Sequence, residues 1–301
     1  MTLDTDKLQF KRDILSGQRI LVTGGGTGLG AVMAEAFLFL GAHVYICGRR
    51  GEILDKTATE LGERHGGQIS WRACDIRKSE QISEMTASIW EDGGPLTGLI
   101  NNAAGNFISR TEDLTIGGFN AISDIVFRGT FQMTHDVGKR WIEGKTGGSI
   151  LSILATWVWN GSPYTVPSAM SKTAIHAMTQ SLAVEWGDYG IRLNAIAPGP
   201  FPTEGMSARL SPGSGDKAYE RMPQNPMGRA GRFHEFANLA VFLMAPGAEY
   251  VNAQTIAIDG AVYQATGGNF SSLRKWSDEQ WLEARSQIKK TNEKDKAKRS
   301  V

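Results

Sequence analysis

Thr23-Gly24-Gly25-Gly26-Thr27-Gly28-Leu29-Gly30 follows the apolar run Arg19-Ile20-Leu21-Val22 and opens a helical pattern carried by Ala31, Met33, Ala34, Phe37, Leu38 and Leu40. A strand, a glycine-rich turn and a helix in that order make an anion site. Glycines turn without a Cβ penalty and let a pyrophosphate reach the N–H groups at the helix N-terminus. The turn alone is a weak signal, because tight turns use glycine everywhere. Its place between a strand and a helix, in a chain of alternating elements, reads as dinucleotide binding. The expected backbone contacts are Gly24, Gly25, Gly26, Thr27, Gly28 and Leu29.

Outward from that turn the alternation continues. Strand-like runs fall at 43–47, 69–74, 97–100, 149–154, 192–197 and 255–258. Helical patterns fall near 52–65, 79–90, 118–143, 168–187 and 235–244. Repeated units of this length predict a single α/β domain over 1–275, a doubly wound parallel sheet with helices on both faces. Ligands then bind at the carboxyl ends of the strands. Two segments depart from the alternation. The stretch 198–226 is long and rich in Pro and Gly, which suits a functional lid or a disordered loop. The piece 276–301 opens with Ser277 and Gln280, a capping box ahead of Trp281 and Leu282. Its last thirteen residues, 289–301, are highly charged and expected to fray.

Bulk composition removes several function classes. The chain has 301 residues, 41% hydrophobic and 21% charged, with a net charge of +1. No global field favours nucleic acid or an anionic membrane. The cysteines are Cys47 and Cys74, too few for a disulfide framework, which fits a reducing compartment. No apolar run is long enough to span a bilayer. The charged N-terminus lacks a signal core, and Lys298-Arg299-Ser300-Val301 is not the Ser-Lys-Leu address, so the expected compartment is the cytoplasm. The five histidines lack metal-ligand spacing, and no metal site is expected.

The second strand ends in Gly48-Arg49-Arg50, where NAD sites usually carry an acidic residue for the ribose 2′-OH. An arginine fork suits a 2′-phosphate, so the expected cofactor is NADP(H) with Arg49 as a ligand, unless the arginines simply face solvent. Asp75, at the end of the third strand, can accept from the adenine amino group or cap the next helix.

Together with Asp75, the residues Thr23-Gly24-x-x-x-Gly28-x-Gly30, Asn101-Asn102-Ala103-Ala104-Gly105 and Pro198-Gly199-Pro200 resemble the short-chain dehydrogenase/reductase family. The resemblance runs from about 21 to 258. It implies a Rossmann-type domain, a homotetramer, a catalytic Tyr-x-x-x-Lys and an Asn on the long helix. Here Ser168 stands at the tyrosine position, ahead of Lys172, and Arg128 at the helix asparagine. A narrower similarity accounts for the serine. Asn102-Ala103-Ala104-Gly105-Asn106-Phe107-Ile108-Ser109, Val166-Pro167-Ser168-Ala169 and Asn269-Phe270-x-x-Leu273-Arg274-Lys275 resemble the 2,4-dienoyl-CoA reductases. That subfamily keeps the lysine and puts Ser in place of the tyrosine. By resemblance Asn106 is the catalytic asparagine, and Lys172 holds the nicotinamide ribose. Pro198, Gly199, Pro200 and Phe201 then line the nicotinamide. The substrate contacts fall on Arg49, Arg77, Phe107, Thr115 and Arg209, with Arg77 and Arg209 near the CoA phosphates. For each arginine alone, a surface salt bridge is the plainer role. The subfamily's substrate-orienting tyrosine falls on Trp157.

That last difference bears on chemistry. An indole N–H donates a hydrogen bond but passes no proton. Carbonyl reduction needs an acid with a tuned pKa; Ser168 is a poor one and Trp157 is none. Hydride addition to the far carbon of a conjugated thioester instead places charge on the thioester oxygen, and preorganised donors there suffice. Asn106 and Trp157 are such donors. The chain therefore reads as an NADPH-dependent enoyl- or dienoyl-CoA reductase acting on an acyl-CoA thioester. Two alternatives stay open. One is a carbonyl or hydroxyl oxidoreductase on another acyl-CoA or alicyclic substrate, with Tyr164 as acid. The other is a non-catalytic NADP-binding scaffold. Tyr164 otherwise packs at the rim; Ser168 either bonds Lys172 or cofactor, or caps its helix; and Trp157 with Trp159 forms a substrate wall or loop packing.

Overall fold

The computed structural model describes residues 3–203, 225–266, 273 and 275–299. The apolar run Arg19–Thr23 is β1, and the glycine turn feeds helix α1 (Gly28–Phe39). Then come β2 (His43–Gly48), α2 (Gly51–His65), β3 (Ile69–Ala73), α3 (Ser79–Glu91) and β4 (Gly98–Asn101). The second half adds α4 (Ile116–Ser123), α5 (Thr130–Gly144), β5 (Gly148–Ile153), α6 (Trp157–Asn160) and α7 (Val166–Glu185). It ends with β6 (Ile191–Pro198), α8 (Phe233–Met244), β7 (Thr255–Ile258), α9 (Val262–Ala265) and α10 (Asp278–Arg299).

The seven strands form one parallel sheet in the order β3-β2-β1-β4-β5-β6-β7. Strand order reverses between β1 and β4, the switch point where such sheets bind ligands. Alternate strand residues serve opposite faces. Ile20 and Val22 of β1 pack with Met33 and Phe37 of α1, Leu54 of α2 and Phe236 of α8. Leu21, between them, packs on the other face with Ile82 of α3 and with Met133, Val137 and Trp141 of α5. Against Leu154, Ala195 and Ala197 lies Ile175 of α7. Buried on both faces, the central strands read as apolar runs rather than alternating ones.

Two elements differ from their sequence reading. The long helix over 118–143 is two α-helices joined by a π-helical stretch, Asp124–Gly129. Gly129 abuts the β3–α3 connection: a Cβ there would sit 2.8 Å from Ile76 Cγ1. An inserted residue in the helical ladder lets the helix pass that contact, and such insertions recur at functional sites. The charged tail is helical through Arg299, because Lys, Glu and Ala favour helix even without packing. The capping box of that helix is present, with Ser277 N donating to Gln280 Oε1 at 2.9 Å and Gln280 N to Ser277 Oγ at 3.3 Å.

Candidate active site

The carboxyl ends of β1 to β6 open on one edge of the sheet, and a cleft of about 240 Å³ lies over the first four. Gly24, Gly26 and Thr27 form its floor, Gly48, Arg49 and Arg50 one wall, and Cys74, Asp75 and Asn102 another. Gly24 has φ +66°, and a Cβ on it would lie 3.0 Å from Ala103 Cα. At Gly30 a Cβ would lie 2.3 Å from the Gly24 oxygen. The turn is thus pressed against the chain after β4 and the start of α1, and Gly24 N donates to Cys47 O of β2 at 2.7 Å. Asn102 staples it: Nδ2 donates to Thr23 O at 2.9 Å and Gly24 O at 3.3 Å, while Thr23 Oγ1 accepts from Asn102 N and Ala103 N. The first-turn N–H groups of α1 have no intrahelical partner. These walls fit a dinucleotide: glycine backbone for the pyrophosphate, arginines at the ribose end, a carboxylate at the base end. Burial pushes the Cys74 thiol up to about 11 and raises Cys47 as well, so both are neutral walls.

Asp75 is not a helix cap; its carboxylate accepts from Arg77, and the N-cap of α3 is Lys78. The Arg77 guanidinium holds the Asp75 carboxyl below the usual carboxylate range. Arg49 and Arg50 are exposed at the cleft mouth.

The other expected catalytic residues follow β4 and β5 in the chain. Asn106, half-buried in the loop after β4, accepts from Phe107 N through Oδ1 at 2.9 Å, and among the described residues its amide N–H groups have no partner. Ser109 N donates to Tyr164 O at 2.9 Å, which ties this loop to the segment leading into α7. Tyr164 is strained, with φ +63°, and the residue is 60% exposed. Trp157 opens α6, half-buried, and its indole N–H has no partner among the described residues. Trp159 points elsewhere: it stacks on Tyr263 with centroids 4.7 Å apart and meets His176 edge-on, so the two tryptophans do not share a wall. Ser168 and Lys172 are buried one turn apart on α7. Lys172 Nζ donates to Ile153 O at the end of β5, and burial lowers its pKa to about 8.

Other expected site residues are placed less directly. Thr115 caps α4, its Oγ1 accepting from Gly118 N at 3.0 Å. The Phe107 ring lies beside Gly118. Pro198 ends β6 and Gly199 follows it, where a Gly199 Cβ would strike Asp259 at 2.6 Å. Pro200 O accepts from Gly231 N. The Phe201 ring turns into the core against Phe236, so only its backbone can serve a cofactor. Arg128 pairs with Asp124 at 3.3 Å on the exposed side of the π-helical stretch. Arg209 lies outside the described residues.

Residues 24–262 match the family model described as enoyl-(acyl carrier protein) reductase. A probable 2,4-dienoyl-CoA reductase of Caenorhabditis elegans is 41% identical over 285 residues, covering 93% of this chain and 92% of that protein. One from Bacillus subtilis is 40% identical over 243 residues, 80% of this chain and 94% of its own. The chain belongs to the short-chain dehydrogenase/reductase family. Among solved members, a Bacillus anthracis short-chain dehydrogenase superposes with TM-score 0.75 at 38% identity, covering 84% of this chain and 98% of that one. An actinorhodin polyketide ketoreductase carrying NADPH superposes at 0.77 with 30% identity, covering 84% and 98%. A nicotinamide cofactor is thus a property of the family to which this dehydrogenase/reductase belongs. Sequence reasoning missed the Arg77–Asp75 fork, whose signal was the acid and base two residues apart, and the Asn102 staple, which only the β1–β4 adjacency reveals.

Proposed function

We propose that this protein reduces a conjugated dienoyl-CoA thioester with NADPH. The observation that carries the reading is the pair of donors without a partner among the described residues, the Asn106 amide in the loop after β4 and the Trp157 indole after β5, together with a buried Ser168–Lys172 turn on α7 that offers no proton-passing phenol. NADPH supplies the hydride. Gly24 to Leu29 take the pyrophosphate at the helix terminus, Arg49 takes the 2′-phosphate, and Asp75 takes the adenine. Lys172 binds the nicotinamide ribose, and its charge offsets the negative charge that grows on the thioester oxygen. The Asn106 and Trp157 N–H groups hold that oxygen, and Phe107 and Thr115 border the acyl group. Water protonates the dienolate at carbon. A donor of this kind is worth about a hundred- to a thousandfold in rate, so replacing a phenol by an indole is tolerable when the oxygen needs a hydrogen bond and no proton.

The same reading makes 276–301 an appendage outside the catalytic domain, the assembly a homotetramer, and the compartment the cytoplasm, although relatives from Arabidopsis thaliana and Danio rerio are named peroxisomal. Among the described residues no helix is long and apolar enough to cross a membrane. The test offers purified protein NADPH with either 2,4-hexadienoyl-CoA or a 3-oxoacyl-CoA. Dienoyl absorbance is expected to fall in step with NADPH oxidation. Brisk turnover of the 3-oxo thioester alone would transfer the site to carbonyl chemistry and to Tyr164.

A further inference from the structure

A threonine inside a helix can turn its hydroxyl back to the carbonyl four residues earlier. Thr86, Thr173 and Thr179 do so here, donating to Ile82 O, Ala169 O and Ile175 O at 2.9 Å each. Thr57 on α2 instead donates across the fold: its Oγ1 lies 2.9 Å from Gly26 O, in the turn between β1 and α1. Ile53 and Leu54, one turn earlier on α2, press on the same glycine. A Cβ there would lie 3.1 Å from Leu54 Cδ2 and 3.3 Å from Ile53 Cγ2. The next residue, Thr27, lines the cleft, and among the described residues its backbone N–H has no partner. A trans peptide points its carbonyl and its N–H in opposite directions. Holding Gly26 O against α2 therefore aims the Thr27 N–H away from α2. A peptide that follows glycine flips at little cost, because no Cβ resists the change in backbone angle. Flipped, this one would show an anion an oxygen in place of a donor.

We propose that Thr57 is a positioning residue for the cofactor's pyrophosphate: its hydroxyl fixes the peptide between Gly26 and Thr27 so that the Thr27 N–H is presented to a phosphate oxygen. This rests on the dinucleotide reading of the cleft. The role is confined to the pyrophosphate, so a ligand made only of base, ribose and 2′-phosphate does not sense the hydroxyl. It also belongs to the hydroxyl alone. Serine can supply it, whereas valine keeps the shape of the side chain without the donor.

The experiment is a fluorescence titration of wild type, Thr57→Val and Thr57→Ser with NADPH, alongside calorimetric binding of adenosine 2′-monophosphate, which lacks the pyrophosphate. Thr57→Val is expected to bind NADPH about fivefold more weakly, the worth of one neutral hydrogen bond, with adenosine 2′-monophosphate unmoved. Thr57→Ser is expected to match wild type on both ligands. NADPH affinity kept in Thr57→Val overturns the assignment. So does an equal loss for both ligands, which would mean that α2 and the arginines ahead of it have shifted. A serine variant as weak as the valine one would assign the effect to packing and overturn it too. Wild type that binds no NADPH would remove the cofactor reading itself, and this inference with it.

Discussion

Lys172 is a buried lysine at the candidate site, and burial weighs against its charge. Burial lowers it to about 8, whereas an unfolded lysine titrates near ~10.4. Between those values the unfolded chain binds more protons than the folded one, so stability rises with pH across that window. Activity runs the other way. The ammonium is the form that donates to the ribose and offsets oxyanion charge, so kcat/KM should fall as pH rises through about 8. A pH–rate profile checks this, and a flat profile across that range would contradict it. Lys172→Met should remove the limb along with most of the rate. The residue itself was legible, because a lysine one turn after Ser168 sits on the same helix face. Its depressed pKa was not, because that depends on how deeply the β5 end and α7 bury it.

At the scale of elements, the glycine turn between β1 and α1 is the least tolerant feature. Gly30→Ala would drive a methyl to 2.3 Å from Gly24 O and 2.5 Å from Asn102 Nδ2, so the staple must break. A loss of about 1–3 kcal/mol and a weakened NADPH titration are expected, checked by chemical denaturation and fluorescence. Unchanged binding would mean that the turn does not hold the cofactor. Strand and helix positions were readable from apolar periodicity, since each strand of a buried parallel sheet is a short continuous apolar run. The π-helical stretch at Asp124–Gly129 was not readable. It answers to Ile76 across the fold, and no local pattern in 118–143 announces that contact. Trp159 shows the same limit: two tryptophans one residue apart would share a side in an extended loop, but α6 turns Trp159 onto Tyr263 instead.

For the whole molecule, the proposed tetramer can be tested at its exposed apolar side chains. Val184 on α7 is 81% exposed, and Met170 on the same helix and Phe131 on α5 are also exposed. Apolar side chains left in water along adjacent helices suit burial against another copy. Light scattering should give about four times the chain mass, and Val184→Glu should lower it; a wild-type monomer would contradict that assembly. The parallel doubly wound sheet and the common edge of the loops were expected from the alternation, and that edge gathers Gly24, Asp75, Asn106, Trp157 and Lys172 from distant parts of the chain. What the alternation could not supply was side-chain direction, as in the buried ring of Phe201 and the fork of Arg77.

The most direct trial of the oxyanion account is the rate of 2,4-hexadienoyl-CoA reduction by Trp157→Phe at saturating NADPH. An indole that only donates should be missed as a donor: kcat is predicted to fall about a hundredfold, with NADPH affinity kept. Wild-type turnover by that variant, or a Tyr164→Phe variant with none, would show that the pocket works by another chemistry.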